Sequence, residues 1–246
     1  MAESARNALE EAIHVPDKPG QSAGSQTLRR GIRLLEILAA AGRSLSIDEL
    51  AETLGVHRSV AYRLLRTLED HGLVAREPSG RIVLGAGLAA LASGVSLDLQ
   101  QAAQPELRTA ANELGMTCLL VVRLDDDEAV TLTSAAPEQS VAVTYRPGHR
   151  HPLTRGGPGK AILMELDEHA WPAELRDELV TGRARGFAVS SDEVVPSLRS
   201  VAIPLVVPGQ PRGSIAAIHV SFSRPEAEIA ERLRTAAGRV ARTLGG

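Results

Sequence analysis

Ser46-Ile47-Asp48-Glu49-Leu50-Ala51-Glu52-Thr53-Leu54-Gly55-Val56-His57-Arg58-Ser59-Val60-Ala61-Tyr62-Arg63-Leu64-Leu65-Arg66-Thr67-Leu68 decides the fold. Ser46 and Glu49 have the spacing of a capping box, in which each side chain satisfies a backbone donor of the other. That opens a short helix burying Ile47, Leu50, Ala51 and Leu54. Gly55 supplies a tight turn, and a further helix is expected over about 57–71, with Val60, Leu64, Leu65 and Leu68 as its core stripe. Gly72 is placed to end it as a left-handed cap. Upstream, Leu28, Ile32, Leu35 and Ala39 recur at i, i+4, i+7 and i+11, the apolar stripe of a helix ending near Gly42. Downstream, residues 73–76 and 81–84 are apolar runs around Glu77-Pro78-Ser79-Gly80, which reads as a β-hairpin. Helix, short helix, turn, helix and hairpin together describe a winged helix-turn-helix.

The mechanism follows from the side of the last helix left free. With Val60, Leu64 and Leu68 inward, Ser59, Tyr62, Arg63 and Arg66 fall on the outer face. The major groove of B-DNA admits one helix, which reads bases from its N-terminal half. Arg58, Ser59, Tyr62 and Arg63 therefore take base-proximal positions, and Arg66 meets phosphate. Arg76 and Arg81 flank the hairpin tip, within reach of a backbone or minor groove. Between Val56 and Leu68 the charged residues are Arg58, Arg63 and Arg66, with no acid. An Arg-rich helix alone reads as a solvated face; the ordered series of signals favours double-stranded DNA.

Composition sets the outer limits. The chain has 246 residues, 43% hydrophobic and 23% charged, as ordinary globular proteins do. Its formal net charge is −3, yet residues 25–85 hold nine Arg against seven acids. No run approaches the ~18 apolar residues of a membrane span. Residues 1–24 read as a disordered polar tail rather than a secretory signal. The single cysteine, Cys118, lies in an apolar run and reads as a buried inert thiol, in keeping with a cytoplasmic protein. Five aromatics are too few for a base-stacking single-strand binder.

Beyond the hairpin, residues 86–102 carry Leu88, Leu91, Val95 and Leu99 at helical spacing and read as a linker helix. Pro105 is expected to open another helix, ended by Gly115. Strand-like runs follow at 117–124, 128–135 and 141–146, with Asp125-Asp126-Asp127 as a solvated turn. Helical patterns occupy about 159–166 and 173–180, strands return at 187–190, 200–207 and 213–222, and a closing helix spans 225–244. The order indicates an α+β domain with a mainly antiparallel sheet.

Residues 28–87 resemble the DNA-binding domain of the IclR family of bacterial transcription regulators. The resemblance rests on Leu34-Leu35-Glu36-Ile37-Leu38, Gly42-Arg43, Glu49-Leu50-Ala51, Gly55, Ser59, Tyr62-Arg63-Leu64-Leu65, Leu68-Glu69, Gly72-Leu73-Val74 and Leu84-Gly85. It continues through His151-Pro152-Leu153-Thr154-Arg155-Gly156-Gly157-Pro158-Gly159-Lys160, through Arg185-Gly186-Phe187-Ala188-Val189 with Glu193, and through Val201-Ala202-Ile203-Pro204 and Ala216-Ala217-Ile218. The resemblance implies a GAF-like effector-binding domain, a linker helix supporting dimerisation, and effector contacts at Gly157, Pro158, Ser190, Ser200, His219 and Ser221. It also implies a small organic acid, often aromatic or a keto acid, as effector. This sequence departs from the family with Gly156-Gly157-Pro158 where Thr or Ser and then Ala are usual. Ser200 stands where Cys is frequent, Ser190 where an Asp or similar polar residue is common, and His219 where Ser is frequent.

Lys160 reads as a residue tying down the loop, or else as an anion partner. Arg146, Arg150 and Arg155 with His149 and His151 form a basic loop that either selects acids or is simply solvated; His149-x-His151 is too sparse for a metal site. A phosphate-binding loop is excluded because Thr154 and Ala161 stand where Gly and Ser or Thr are needed. No catalytic signature appears, and no cofactor is expected. The alternatives are a small-molecule-modifying enzyme with an accessory winged helix, and a winged helix used for protein docking. The expected organisation is a tail at 1–24, a winged helix-turn-helix at 25–85, a linker helix at 86–102, and an effector-binding and oligomerisation domain at 103–246. The expectation is a cytoplasmic regulator, a homodimer or dimer of dimers, acting on a palindromic or semi-palindromic operator.

Overall fold

Helix α1 (Gln26–Ala41) starts where the Ser25 hydroxyl accepts the Leu28 N–H and stops at Gly42, whose φ is +59°. The computed structural model describes residues 24–138, 143, 145 and 147–245, so the N-terminal tail and most of the strand expected at 141–146 lie outside the described residues. α1 buries Gly31, Leu34, Ile37 and Leu38, not the stripe expected from spacing. Leu28 is 64% exposed and Ile32 is 49% exposed. The helix carries two adjacent apolar stripes, and the buried one presents three large side chains to the core.

α2 (Ile47–Leu54) begins with the expected capping box: the Glu49 N–H donates to Ser46 Oγ at 3.2 Å, and the Ser46 N–H to Glu49 Oε2 at 2.7 Å. α3 (Arg58–Asp70) follows the left-handed Gly55 and buries Ala61, Leu64 and Leu65, with Val60 and Leu68 half-buried. The wing is β1 (Val74–Arg76) paired antiparallel with β2 (Ile82–Leu84), and Leu45 joins it through backbone hydrogen bonds to Ile82. Leu34, Ile37, Leu50, Leu65 and Ile82 pack as the core of this unit. Gly85 is required because a Cβ there would stand 2.1 Å from the Gly72 carbonyl oxygen.

The chain divides into one unit ending at Val95 and another beginning at Ser96. In place of one helix over 86–102, α4 (Gly87–Ala92) stops and α5 (Leu97–Leu114) starts after Ser96, which has φ of +46°. Pro105, expected to open a helix, lies inside α5. An interior proline costs about 3 kcal/mol. The stripe Leu99, Ala103, Leu107, Ala110, Ala111 and Leu114 is buried on both sides of it, and that packing outweighs the cost.

The second unit is built on β3 (Thr117–Arg123), β4 (Glu128–Ala135), β5 (Arg150–Pro152), β6 (Ala188–Ser191), β7 (Arg199–Leu205) and β8 (Gly213–His219). They form one antiparallel sheet in the order β5-β4-β3-β8-β7-β6. The helices α6 (Gly157–Leu163), α7 (Arg176–Arg185) and α8 (Glu226–Gly245) complete it, with short 3-10 turns at Glu168–Ala170 and Ala173–Leu175. Side chains alternate across the strands. Cys118, Leu120, Ile215 and Ala217 pack with α5 and α8, whereas Leu119, Val121, Ala216 and Ile218 pack with α6 and α7. Burial pushes the Cys118 thiol up to about 12, which makes it inert.

Candidate DNA interface and effector cavity

On the outer face of α3, Tyr62 is half exposed, and Arg63 and Arg66 project into solvent. Among the described residues neither arginine side chain has a hydrogen-bond or ion-pair partner. Arg58 pairs with Asp48, both well exposed. The Ser59 hydroxyl is 3.0 Å from His57 Nδ1, and His57 caps the helix by accepting the Ser59 N–H.

The two wing arginines differ. Arg76 is 3.6 Å from Glu69 and donates to the Gly80 carbonyl, an arrangement that leaves it at the surface. Arg81 turns inward: Nη2 donates to the Ser44 carbonyl at 2.8 Å and to Glu49 Oε2 at 2.9 Å. Glu49 is held down to about 2, first by the Ser46 backbone N–H and further by Arg43. Arg81 is thus a brace from the wing to the capping box. The sequence could not show this, because the partners are 32 and 37 residues away.

In the second unit, Ser190 on β6 and Ser200 on β7 are cross-strand partners. Their hydroxyl oxygens are 2.7 Å apart, and both accept the Gly157 N–H at 3.0 Å. A Cβ at Gly157 would lie 2.5 Å from Ser200 Oγ, so that position requires glycine. The Gly156 N–H donates to Glu193 at 2.9 Å. Lys160, only 3% exposed, donates to Glu193 at 2.6 Å and to Glu178 at 2.8 Å. Lys160 therefore ties the loop down, and Glu193 and the two serines take the backbone donors that an anion would have used.

Beside the serines lies a cleft, partly open to solvent, with Leu119, Leu198 and Ile218 among its apolar walls and Tyr145, Ser190 and Ser200 as polar ones. Pro158 also lines it, and Gly157 stands directly behind the hydroxyl pair. His219 and Ser221 do not line it. Ile218 faces the cavity, so strand alternation turns His219 to the opposite face, where its ring bonds the Ser221 backbone. Neither expected contact is among the residues that line the cavity.

Of the basic loop expected to select acids or to be solvated, His151 turns inward. It is 3% exposed and lies in the cavity wall, and among the described residues neither ring nitrogen has a hydrogen-bond partner. Burial, reinforced by His149, pushes its imidazole down to about 4. The signal was alternation along a short strand hidden in the basic loop: Arg150 points out to Glu128, while His151 points in. Arg155 is exposed, and Arg146 lies outside the described residues.

Residues 27–78 match the family model of the IclR helix-turn-helix domain. The HTH-type transcriptional regulator Rv1719 of Mycobacterium tuberculosis is 32% identical over 217 residues, covering 78% of this chain and 83% of that protein. An IclR transcriptional regulator from Alicyclobacillus acidocaldarius superposes with a TM-score of 0.78 at 28% identity, covering 90% of this chain and 100% of that one. An IclR homolog from Microbacterium hydrocarbonoxydans, complexed with 4-hydroxybenzoate, has the same fold (TM-score 0.75, 20% identity, 89% of this chain and 99% of that one). A winged helix-turn-helix unit joined to an antiparallel α+β unit, with these relatives, defines a DNA-binding transcription regulator. The chain belongs to the IclR family.

Proposed function

We propose that the protein binds a palindromic or semi-palindromic operator through the outer face of α3 and that a small organic acid held in the cleft beside Ser190 and Ser200 alters that affinity. The observation that carries the reading is the free pair Arg63 and Arg66, one turn apart on an exposed helix face. Arg58, Ser59, Tyr62 and Arg63 read bases, Arg66 and Arg76 meet phosphate, and Arg81 acts indirectly by bracing the wing. Gly157, Pro158, Ser190 and Ser200 line or shape the effector site. The 4-hydroxybenzoate bound by the Microbacterium relative lends support to an aromatic acid of similar size.

The protein acts by binding rather than catalysis, in the cytoplasm, as a homodimer or dimer of dimers. Two-fold symmetry matches repeated half-sites. Self-association is supported by apolar side chains left in solvent on the first unit, among them Leu28, Ile32 and Leu91. Among the described residues no helix is long and apolar enough to cross a membrane. A gel-shift titration on the DNA upstream of its own gene, with nonspecific competitor, tests the reading; failure to bind specifically there and in genome-wide selection of bound DNA would overturn it.

A further inference from the structure

Buried polar groups are nearly always hydrogen-bonded, yet both nitrogens of His151 are bare inside the cavity wall. Of the described residues in and directly behind the cavity wall, the charged ones are already paired, and Arg155 is exposed. Glu193 holds Lys160 and the Gly156 N–H. Arg199, on β7, reaches Glu226 at 2.9 Å and lies over the Phe222 ring. On the chain leading into β5, the Tyr145 hydroxyl bonds His149 Nδ1 at 2.8 Å. On β4, the partner strand, Glu128 pairs with Arg150 and the residue opposite His151 is Ala129. Among the described residues no unpaired cation lines the cavity.

A carboxylate entering such a site loses its water and needs a counter-charge. We propose that His151 supplies it: a carboxylate effector binds by protonating this imidazole, taking one proton from solvent and forming an imidazolium–carboxylate pair against the Ser190 and Ser200 hydroxyls. In that step one ring nitrogen gains an N–H bond, the buffer gives up the proton, and no other bond changes. Neutral analogues bring no charge and take up no proton. This rests on the effector reading above and specifies how the acid is recognised.

The sign follows from linkage. In the free protein burial keeps His151 neutral at pH 7, with its imidazole at about 4, and His149 pushes the same way. The complex holds one proton more, so acid affinity falls by about tenfold per pH unit across the range where His151 is neutral in the free protein and protonated in the complex.

The test is calorimetry on the full chain at millimolar benzoate, 4-hydroxybenzoate and isobutyrate, beside their amides, near pH 6 and near pH 8, in two buffers of different ionisation enthalpy. We expect at least one acid to bind, at least about tenfold tighter at the lower pH with close to one proton taken up, while any amide that binds changes less than about twofold. His151→Asn should remove the pH dependence and weaken the acid at low pH; His151→Gln serves if the Asn variant does not fold. Acid binding that is independent of pH, acid binding unchanged in a folded His151 variant, or no binding by any probe would overturn the proposal. An acid that binds with proton uptake yet leaves operator affinity unchanged would instead count against the regulatory reading alone.

Discussion

Arg81 Nη2 stands 2.9 Å from Glu49 Oε2, the same carboxylate oxygen that accepts the Ser46 backbone N–H. One side chain thereby closes the capping box of α2 and fastens the wing to it. The folded state depresses the Glu49 carboxyl to about 2, so its contribution is present above about pH 4.5 and is lost as pH falls towards 2. Glu49 is over one-third exposed and screened by solvent, which limits this to about 1 kcal/mol. Glu49→Gln should lower stability by about 1–2 kcal/mol at neutral pH and flatten the acid limb of the stability curve, as read by urea unfolding.

The arginines of α3 and the wing should separate by assay. Arg63→Ala is expected to weaken specific operator binding by about 1–3 kcal/mol with no change in melting temperature. Arg66→Ala should reduce the salt slope of binding by about one phosphate contact. Arg81→Ala should lower the melting temperature first, with DNA affinity following.

Gly157 and Ser200 should be coupled. Gly157→Ala places a Cβ 2.5 Å from Ser200 Oγ, and the next neighbours are at 3.5 Å. The single variant should be destabilised by about 1–3 kcal/mol. Adding Ser200→Ala removes the clashing atom, so the double variant should recover part of that loss, a non-additivity measurable by thermal unfolding.

Lys160→Met leaves Glu178 and Glu193 without their cation. Breaking a fully buried pair costs about 3–5 kcal/mol, and these carboxylates are 42% and 28% exposed. A loss of about 2 kcal/mol is expected in denaturant unfolding, with DNA affinity at low temperature unchanged.

His219→Ala should leave effector affinity unaltered, since His219 lies on the sheet face opposite the cavity. A calorimetric change of more than about 1 kcal/mol would contradict the strand register on which this argument depends.

The winged helix was legible because its signals are local: the capping box at Ser46 and Glu49, the turn at Gly55, and the Pro-Ser-Gly hairpin tip. The register of α1 was not, because periodicity cannot choose between adjacent apolar stripes without the partner helices. Pro105 misled for a related reason, as tertiary burial of α5 overrode a local breaking signal. In the second unit the serine pair and the glycine loop follow from the family resemblance, whereas which side chains of the basic loop turn inward does not. His151 and Arg150 are neighbours on one short strand, and one residue of register exchanges the two faces.

The most direct test of the central claim is a fluorescence-anisotropy titration of DNA from upstream of the gene, with wild type and Arg63→Ala side by side, at low and moderate salt, with and without the acid found by calorimetry. The expected result is competitor-resistant, salt-sensitive binding that the acid shifts and that Arg63→Ala weakens at least about fivefold. Binding equally strong in the variant and indifferent to competitor sequence would contradict it.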